Sequence, residues 1–181
     1  MFQYCPKCAS DRIVLERNRF NCPLCGFVYF HNTAAATGCV IDRGEDVALL
    51  VRANEPALGL LDLPGGFVDP GEGLLEGLTR ELREELGWVP PIPEGKCRET
   101  AFADVFKIFS SFHNVYHYKG IDYNTCDMYF YVIAYGLTPQ DLHLEKAEIS
   151  EVRFLKREEI NFDDFAFEST KKALKAFLAA P

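Results

Sequence analysis

Apolar and polar positions along this chain fall into stretches of different period. Residues 34–41 and 47–51 are nearly continuous apolar, β-prone runs. The polar segment Asp-Arg-Gly-Glu-Asp between them predicts a turn joining two paired strands. From 74 to 87 the period changes: Leu75, Leu78, Leu82 and Leu86 fall on one stripe at about 100° per residue. That stripe predicts an amphipathic helix facing a core, ended by Pro90, Pro91 and Pro93. RETAFADVFKIFSSF and CDMYFYVIAYG read as aromatic-rich strands, with the polar and aromatic HNVYHYKGIDYNT between them. A short strand over 150–155 and an amphipathic helix over 170–178 complete the pattern. Strands in mixed order with two helices predict an α+β or α/β sandwich.

The first thirty residues do not follow this pattern. They hold Cys5-Pro6-Lys7-Cys8 and Cys22-Pro23-Leu24-Cys25-Gly26, two knuckles with thirteen residues between them. A segment this short cannot bury enough surface to fold alone. Four thiolates delivered two by two suit a tetrahedral structural Zn²⁺, which supplies what the core lacks. Reactive dithiols are the alternative. The spacing resembles a zinc ribbon, with a short hairpin expected between the knuckles. His31, just beyond it, is expected to be structural, because four cysteines already close such a site.

Composition narrows the function. The chain has 181 residues, is 48% hydrophobic and carries a formal charge of −8, with no long basic run. An acidic surface argues against nonspecific nucleic-acid binding. A phosphorylated substrate would need a divalent metal to screen repulsion. No apolar run approaches the roughly 20 residues of a membrane span. The N-terminus lacks a secretory pattern, and Cys39, Cys97 and Cys126 are scattered as reduced thiols would be. A soluble, cytoplasmic protein is expected.

The helix over 74–87 crowds Glu76, Glu81, Glu84 and Glu85 together. Like charges at i,i+4 cost a few tenths of a kcal/mol, about 0.2–0.5 each, and Arg80 can offset part of that through Glu84 or Glu76. A solvated charged face is one explanation. A shared cation is the other, and the preceding GGFVDPGEG favours it, because Gly65, Gly66 and Gly71 allow sharp backbone that approaches the carboxylates.

Gly66, then Glu72, then Arg80-Glu81-Leu82, then Glu84-Glu85-Leu86-Gly87 and apolar Trp88 match every fixed place of the 23-residue Nudix box. The chain therefore resembles Nudix hydrolases from residue 33 onward. The resemblance implies a zinc ribbon over 1–32 and a Nudix domain over 33–181 with an α/β/α sandwich and mixed sheet. It also implies Mg²⁺- or Mn²⁺-dependent cleavage of a nucleoside diphosphate linked to another group. Carried over residue by residue, Glu81, Glu84 and Glu85 are metal ligands, the Gly66 carbonyl joins them, and Arg80 orients a glutamate. Glu72 is a weaker ligand or a loop anchor. HLEKAEISEVRFL resembles the EI-x-E-x-RWF segment of zinc-ribbon Nudix enzymes, which makes Glu148 a further metal contact. Glu81 and Glu148 both remain open as the general base. Glu145 and Glu151 are weaker candidates.

A ribbon followed by a Nudix domain is also the layout of NADH pyrophosphatases. Their SQPWPFP-like segment is absent here, where the chain reads ADVFKIFSSFHNVYHYKG. Phe112, Asn114, Tyr116, Tyr118 and Asp127 are candidate contacts to a base or sugar. Other readings are a silent nucleotide-sensing module, and an isoprenoid diphosphate isomerase using Cys39 or Cys126; the intact box argues against both. For the ribbon, packing or homodimerisation is expected rather than nucleic-acid binding.

Overall fold

The computed structural model describes residues 2–92 and 98–180. Pro93 and Cys97 lie outside the described residues. The chain forms two compact units, Met1–Thr33 and Ala34–Pro181.

The smaller unit is a three-stranded antiparallel sheet of β1 (Val14–Leu15), β2 (Arg19–Asn21) and β3 (Val28–Phe30). Its interior is slight: Phe20 is buried with Cys5 and Cys22, and the Phe2, Phe27 and Tyr29 rings lie against Phe20.

The larger unit is an α/β sandwich. Its strands are β4 (Ala34–Asp42), β5 (Asp46–Arg52), β6 (Leu61–Asp62), β7 (Lys107–Tyr118), β8 (Ile121–Ile133) and β9 (Ile149–Lys156). They lie in the order β6-β5-β4-β8-β7, with β9 paired to β5. The sheet is mixed, because β4 runs parallel to β8 while the other pairs are antiparallel. Side-chain alternation along each strand divides the core in two. Cys39, Ile41, Phe130 and Val132 meet Leu78, Leu82 and Leu86 of α1 (Leu74–Leu86) on one face. Val40, Leu49 and Tyr129 meet Ala173 and Leu174 of α3 (Glu168–Ala179) on the other.

Two expectations change. RETAFADV is not a strand but helix α2 (Arg98–Val105), with β7 starting at Lys107. Phe102 and Phe106, four residues apart, bring their rings to 6.0 Å in the core beneath α1, a helical spacing hidden within an aromatic-rich run. HNVYHYKGIDYNT is not a connector but the tip of the β7–β8 hairpin, turning at Lys119-Gly120, both at positive φ.

One irregularity shapes the rest. β4 and β5 pair only beside their turn, at Ile41↔Ala48 and Asp42↔Val47. Beyond it β6 takes the edge of β5, and the glycine loop takes the edge of β4. The N–H groups of Cys39 and Thr37 donate to Pro64 O and Gly66 O, and Val68 N–H donates to Ala35 O. The loop is thus a wedge in a splayed sheet, and α1 follows it directly.

Candidate active site

Gly65 is held by its place in the wedge. Its φ is 140°, and a Cβ there would stand 2.1 Å from the Thr37 carbonyl oxygen. Its N–H donates to Glu85 Oε2 at 2.9 Å. At Gly66 a Cβ would fall 2.6 Å from Glu81 Oε1, so the absent side chain leaves room beside that carboxylate. The Gly66 carbonyl accepts from Thr37 N–H and keeps a second lone pair. Helix α1 begins at Gly73, whose N–H donates to the Glu76 carboxylate, and ends on Gly87 at φ 61°. Glu76 therefore caps the helix and does not pair with Arg80.

Arg80 instead binds three acids at once. Nε donates to Glu72 at 2.9 Å, and Nη1 donates to Glu81 at 2.8 Å and to Glu84 at 3.1 Å. Nη2 reaches Glu72 and the Phe67 carbonyl, which ties the loop to the helix. Glu72 also accepts from Asp69 N–H, so it acts as the loop anchor.

The carboxylates differ in their surroundings. Glu85 is buried at 7% exposure, and burial pushes its carboxyl well above the usual range. The Gly65 N–H opposes this, while the charges of Glu81, Asp62 and Glu148 add to it. Burial likewise raises Glu81, against the lowering effect of Arg80 and with the charges of Glu84 and Glu148. Arg80 holds Glu72 below the usual range. Glu148 borders the same cavity, close enough for its charge to act on both helix carboxylates. Glu145 caps Ala147 N–H and Glu151 pairs with Arg153; neither lines the cavity.

Glu81, Glu84, Glu85, Glu148, Gly66 and Arg80 all border one cavity of about 880 Å³. Arg80 is already shared among its acids, so half-buried Glu81 and buried Glu85 sit with more negative charge than it can balance. Oxygen donors in this state, with a glycine-cleared space beside them, suit a hard divalent cation. Asn114, Tyr116, Tyr118 and Asp127 line the same cavity. Phe112 does not: its ring packs 6.3 Å from that of Tyr129 in the core under α3.

The NUDIX domain model matches residues 32–177. The chain belongs to the NUDIX family. It is 38% identical over 65 residues to an ADP-ribose pyrophosphatase of Methanocaldococcus jannaschii, covering 36% of this chain and 38% of that protein. It is 36% identical over 86 residues to the NAD-capped RNA hydrolase NudC of Chromobacterium violaceum, covering 47% of this chain and 32% of that protein. The match thus spans only about a third of each relative, 38% and 32%. Among solved structures, a NUDIX hydrolase from Nitrosomonas europaea superposes with a TM-score of 0.66 at 25% identity, covering 96% of this chain and 89% of that one.

Several residues of this NUDIX cavity carried no signal in the sequence. Arg52 pairs with Asp62 at 3.3 Å, and its guanidinium lies 5.1 Å from the centre of the Phe167 ring. Thr170 donates to Asp62 at 2.9 Å. Burial raises the Asp62 carboxyl, with Arg52 and Thr170 working against it. Only the fold brings the end of β5, β6 and the start of α3 together, so no local motif could mark them. Cys39 is buried and Cys126 does not border the cavity, which leaves the isomerase reading without a nucleophile there.

In the smaller unit, Cys5, Cys8, Cys22 and Cys25 place their sulfurs within 4.8 Å of one another. Cys5 to Cys25 and Cys8 to Cys22 are each 3.7 Å. Four sulfurs at about 2.3 Å from a tetrahedral Zn²⁺ would be about 3.8 Å apart, so the cluster fits zinc. His31 is not part of it; its N–H donates to the Asn18 carbonyl. His113 and His117 bond to Asn124 and Asp122 on the hairpin, away from the cavity. No helix among the described residues is long and apolar enough to cross a membrane.

Proposed function

We propose that this protein is a metal-dependent pyrophosphohydrolase that cleaves the diphosphate of a nucleoside diphosphate linked to another moiety. The observation that carries the reading is Glu85, buried and bonded to Gly65 N–H beside Glu81 and Glu148, at the acidic end of a cavity large enough for a nucleotide. Glu81, Glu84 and Glu85, with the Gly66 carbonyl and Glu148, would hold Mg²⁺ or Mn²⁺. When bound, such ions polarise phosphoryl oxygens and acidify the attacking water. The chain's own part is positioning. Gly65 N–H fixes the Glu85 carboxylate, Arg80 fixes Glu81 and Glu84, and the wedge keeps the loop against α1. Either Glu81 or Glu148 takes the proton from water, since both face the cavity and the negative charge of Glu148 strengthens Glu81 as a base.

The M. jannaschii and C. violaceum relatives are named for ADP-ribose and for NAD-capped RNA. Both substrates contain an adenosine diphosphate, which supports that group as the common element here. A turnover screen of ADP-ribose, NADH, nucleotide sugars and nucleoside triphosphates with Mg²⁺ tests the reading. Release of a nucleoside monophosphate from at least one is expected. Tight binding without turnover across the panel would favour a nucleotide sensor instead. The four-cysteine unit is proposed as a structural zinc ribbon.

A further inference from the structure

The cavity also holds Asp127, a carboxylate that the pyrophosphate chemistry leaves unused. Asp127 is only 7% exposed, yet it borders the cavity. One of its oxygens is committed: Ser169 Oγ donates to Oδ2 at 2.6 Å, and the Tyr129 hydroxyl lies 3.5 Å from the same atom. Oδ1 has no hydrogen-bond partner among the described residues. The residue borders the cavity, where a ligand can supply the missing donor.

Its holders are fixed in turn. The Tyr129 ring lies on β4 where residue 38 is glycine; a Cβ there would meet the ring at 2.7 Å. The Tyr129 hydroxyl also lies 3.4 Å from Thr170 Oγ1, which donates to Asp62. Ser169 is 1% exposed at the start of α3. Asp127 is therefore a preset acceptor, its carboxylate oriented by Ser169 and Tyr129 before any ligand arrives.

The surroundings select the ligand. A phosphate is repelled by an unscreened buried carboxylate, so the group that fits is an uncharged donor. Tyr116, Phe167 and Phe67 border the same cavity, with Tyr116 5.7 Å from Phe167 and 5.6 Å from Phe67. Aromatic faces next to a lone acceptor suit a flat heterocycle that stacks and donates from its edge. Resting on the nucleotide reading above, we infer that Asp127 is a specificity-determining residue that accepts a hydrogen bond from the exocyclic amino group of the substrate's purine. Ser169 and Tyr129 are the residues that position it.

The test uses two ligand pairs that differ by one amino group and contain no pyrophosphate: AMP against purine riboside 5′-monophosphate, and GMP against IMP. Dissociation constants are measured by calorimetry on the full chain, with ADP-ribose hydrolysis followed in parallel. The amino-bearing member of at least one pair binds tighter by about ten- to a hundred-fold, the value of a bond to a charged group. In Asp127→Asn, the Ser169 and Tyr129 hydroxyls keep the amide oxygen on their side and turn its NH₂ toward the cavity, so the ratio falls to about one or below. A ratio is independent of how much protein is folded. Where Asp127→Asn gives no folded protein, Ser169→Ala serves, and its ratio falls several-fold. Wild-type ratios near one for both pairs, as a ribose-binding Asp127 would give, or a ratio unchanged in the variant, overturn the inference. Hydrolysis with no amino preference sinks this inference alone. A preference with no hydrolysis of any diphosphate sinks the hydrolase reading and leaves the base subsite standing.

Discussion

Glu85 and Glu72 each accept a backbone N–H of the glycine loop, yet their surroundings drive them in opposite directions. Burial, then the neighbouring acids, raises Glu85, and Glu81 rises with it. A carboxyl raised in the folded state contributes stability that is full below its unfolded value of about 4.3 and is lost as pH rises through the folded value. The Tm of metal-free protein should therefore fall as pH climbs above about 4.3, and Mg²⁺ should restore it most at the higher pH. Thermal melts across pH, with chelator and with metal, measure this; a flat metal-free profile would contradict it. Glu72 has the reverse sign: the Arg80 pairing contributes above about 4.3 and fades as pH drops through its lowered value. Arg80→Ala leaves three acids without their cation and should cost about 2 kcal/mol in urea unfolding of the metal-free protein.

At the level of elements, the glycine wedge sets the site. Gly65→Ala would drive a methyl into the Thr37 carbonyl, part the loop from β4 and withdraw the N–H from Glu85. Turnover should fall at least about a hundred-fold while far-UV circular dichroism stays close to wild type. Activity within a few-fold of wild type would show that the wedge does not set the carboxylate. Helix α1 was legible in the sequence because its leucine stripe and its fixed glutamates follow one period, so local pattern and burial agree. Helix α2 was not, because Phe102 and Phe106 sit in an aromatic-rich run that continues directly into the strand residues Phe109 and Phe112, and only packing under α1 separates helix from strand. The hairpin tip was missed for the opposite reason: its pairing continues through polar residues that a burial pattern would assign to a loop.

Over the whole molecule, the metal sites proposed for the two units would serve different ends. Ala34–Pro181 has two apolar cores of its own, one on each face of the sheet, so the cations proposed for it would serve only its acidic cavity. Met1–Thr33 has little besides Phe20, its neighbouring rings and four thiols. One zinc per chain is expected, and Cys22→Ser should abolish it and lose the β1–β3 sheet while the larger unit keeps its cooperative melt. Metal analysis with amide hydrogen exchange checks both parts. The cysteine spacing and the box were readable because each is local in sequence. Arg52, Asp62, Phe167, Ser169 and Thr170 were not, since their meeting depends on the crossover between β6 and α3.

The central claim is that the α1 carboxylates hold divalent cations for pyrophosphate cleavage. Its most direct measurement is nucleoside monophosphate release from ADP-ribose by wild type and Glu85→Gln, after chelation and after Mg²⁺ is restored. The account predicts no release under chelation, recovery of the wild type with Mg²⁺, and a loss of at least about a hundred-fold in the folded variant at saturating metal. Release that survives chelation, or a variant as active as wild type, would contradict it.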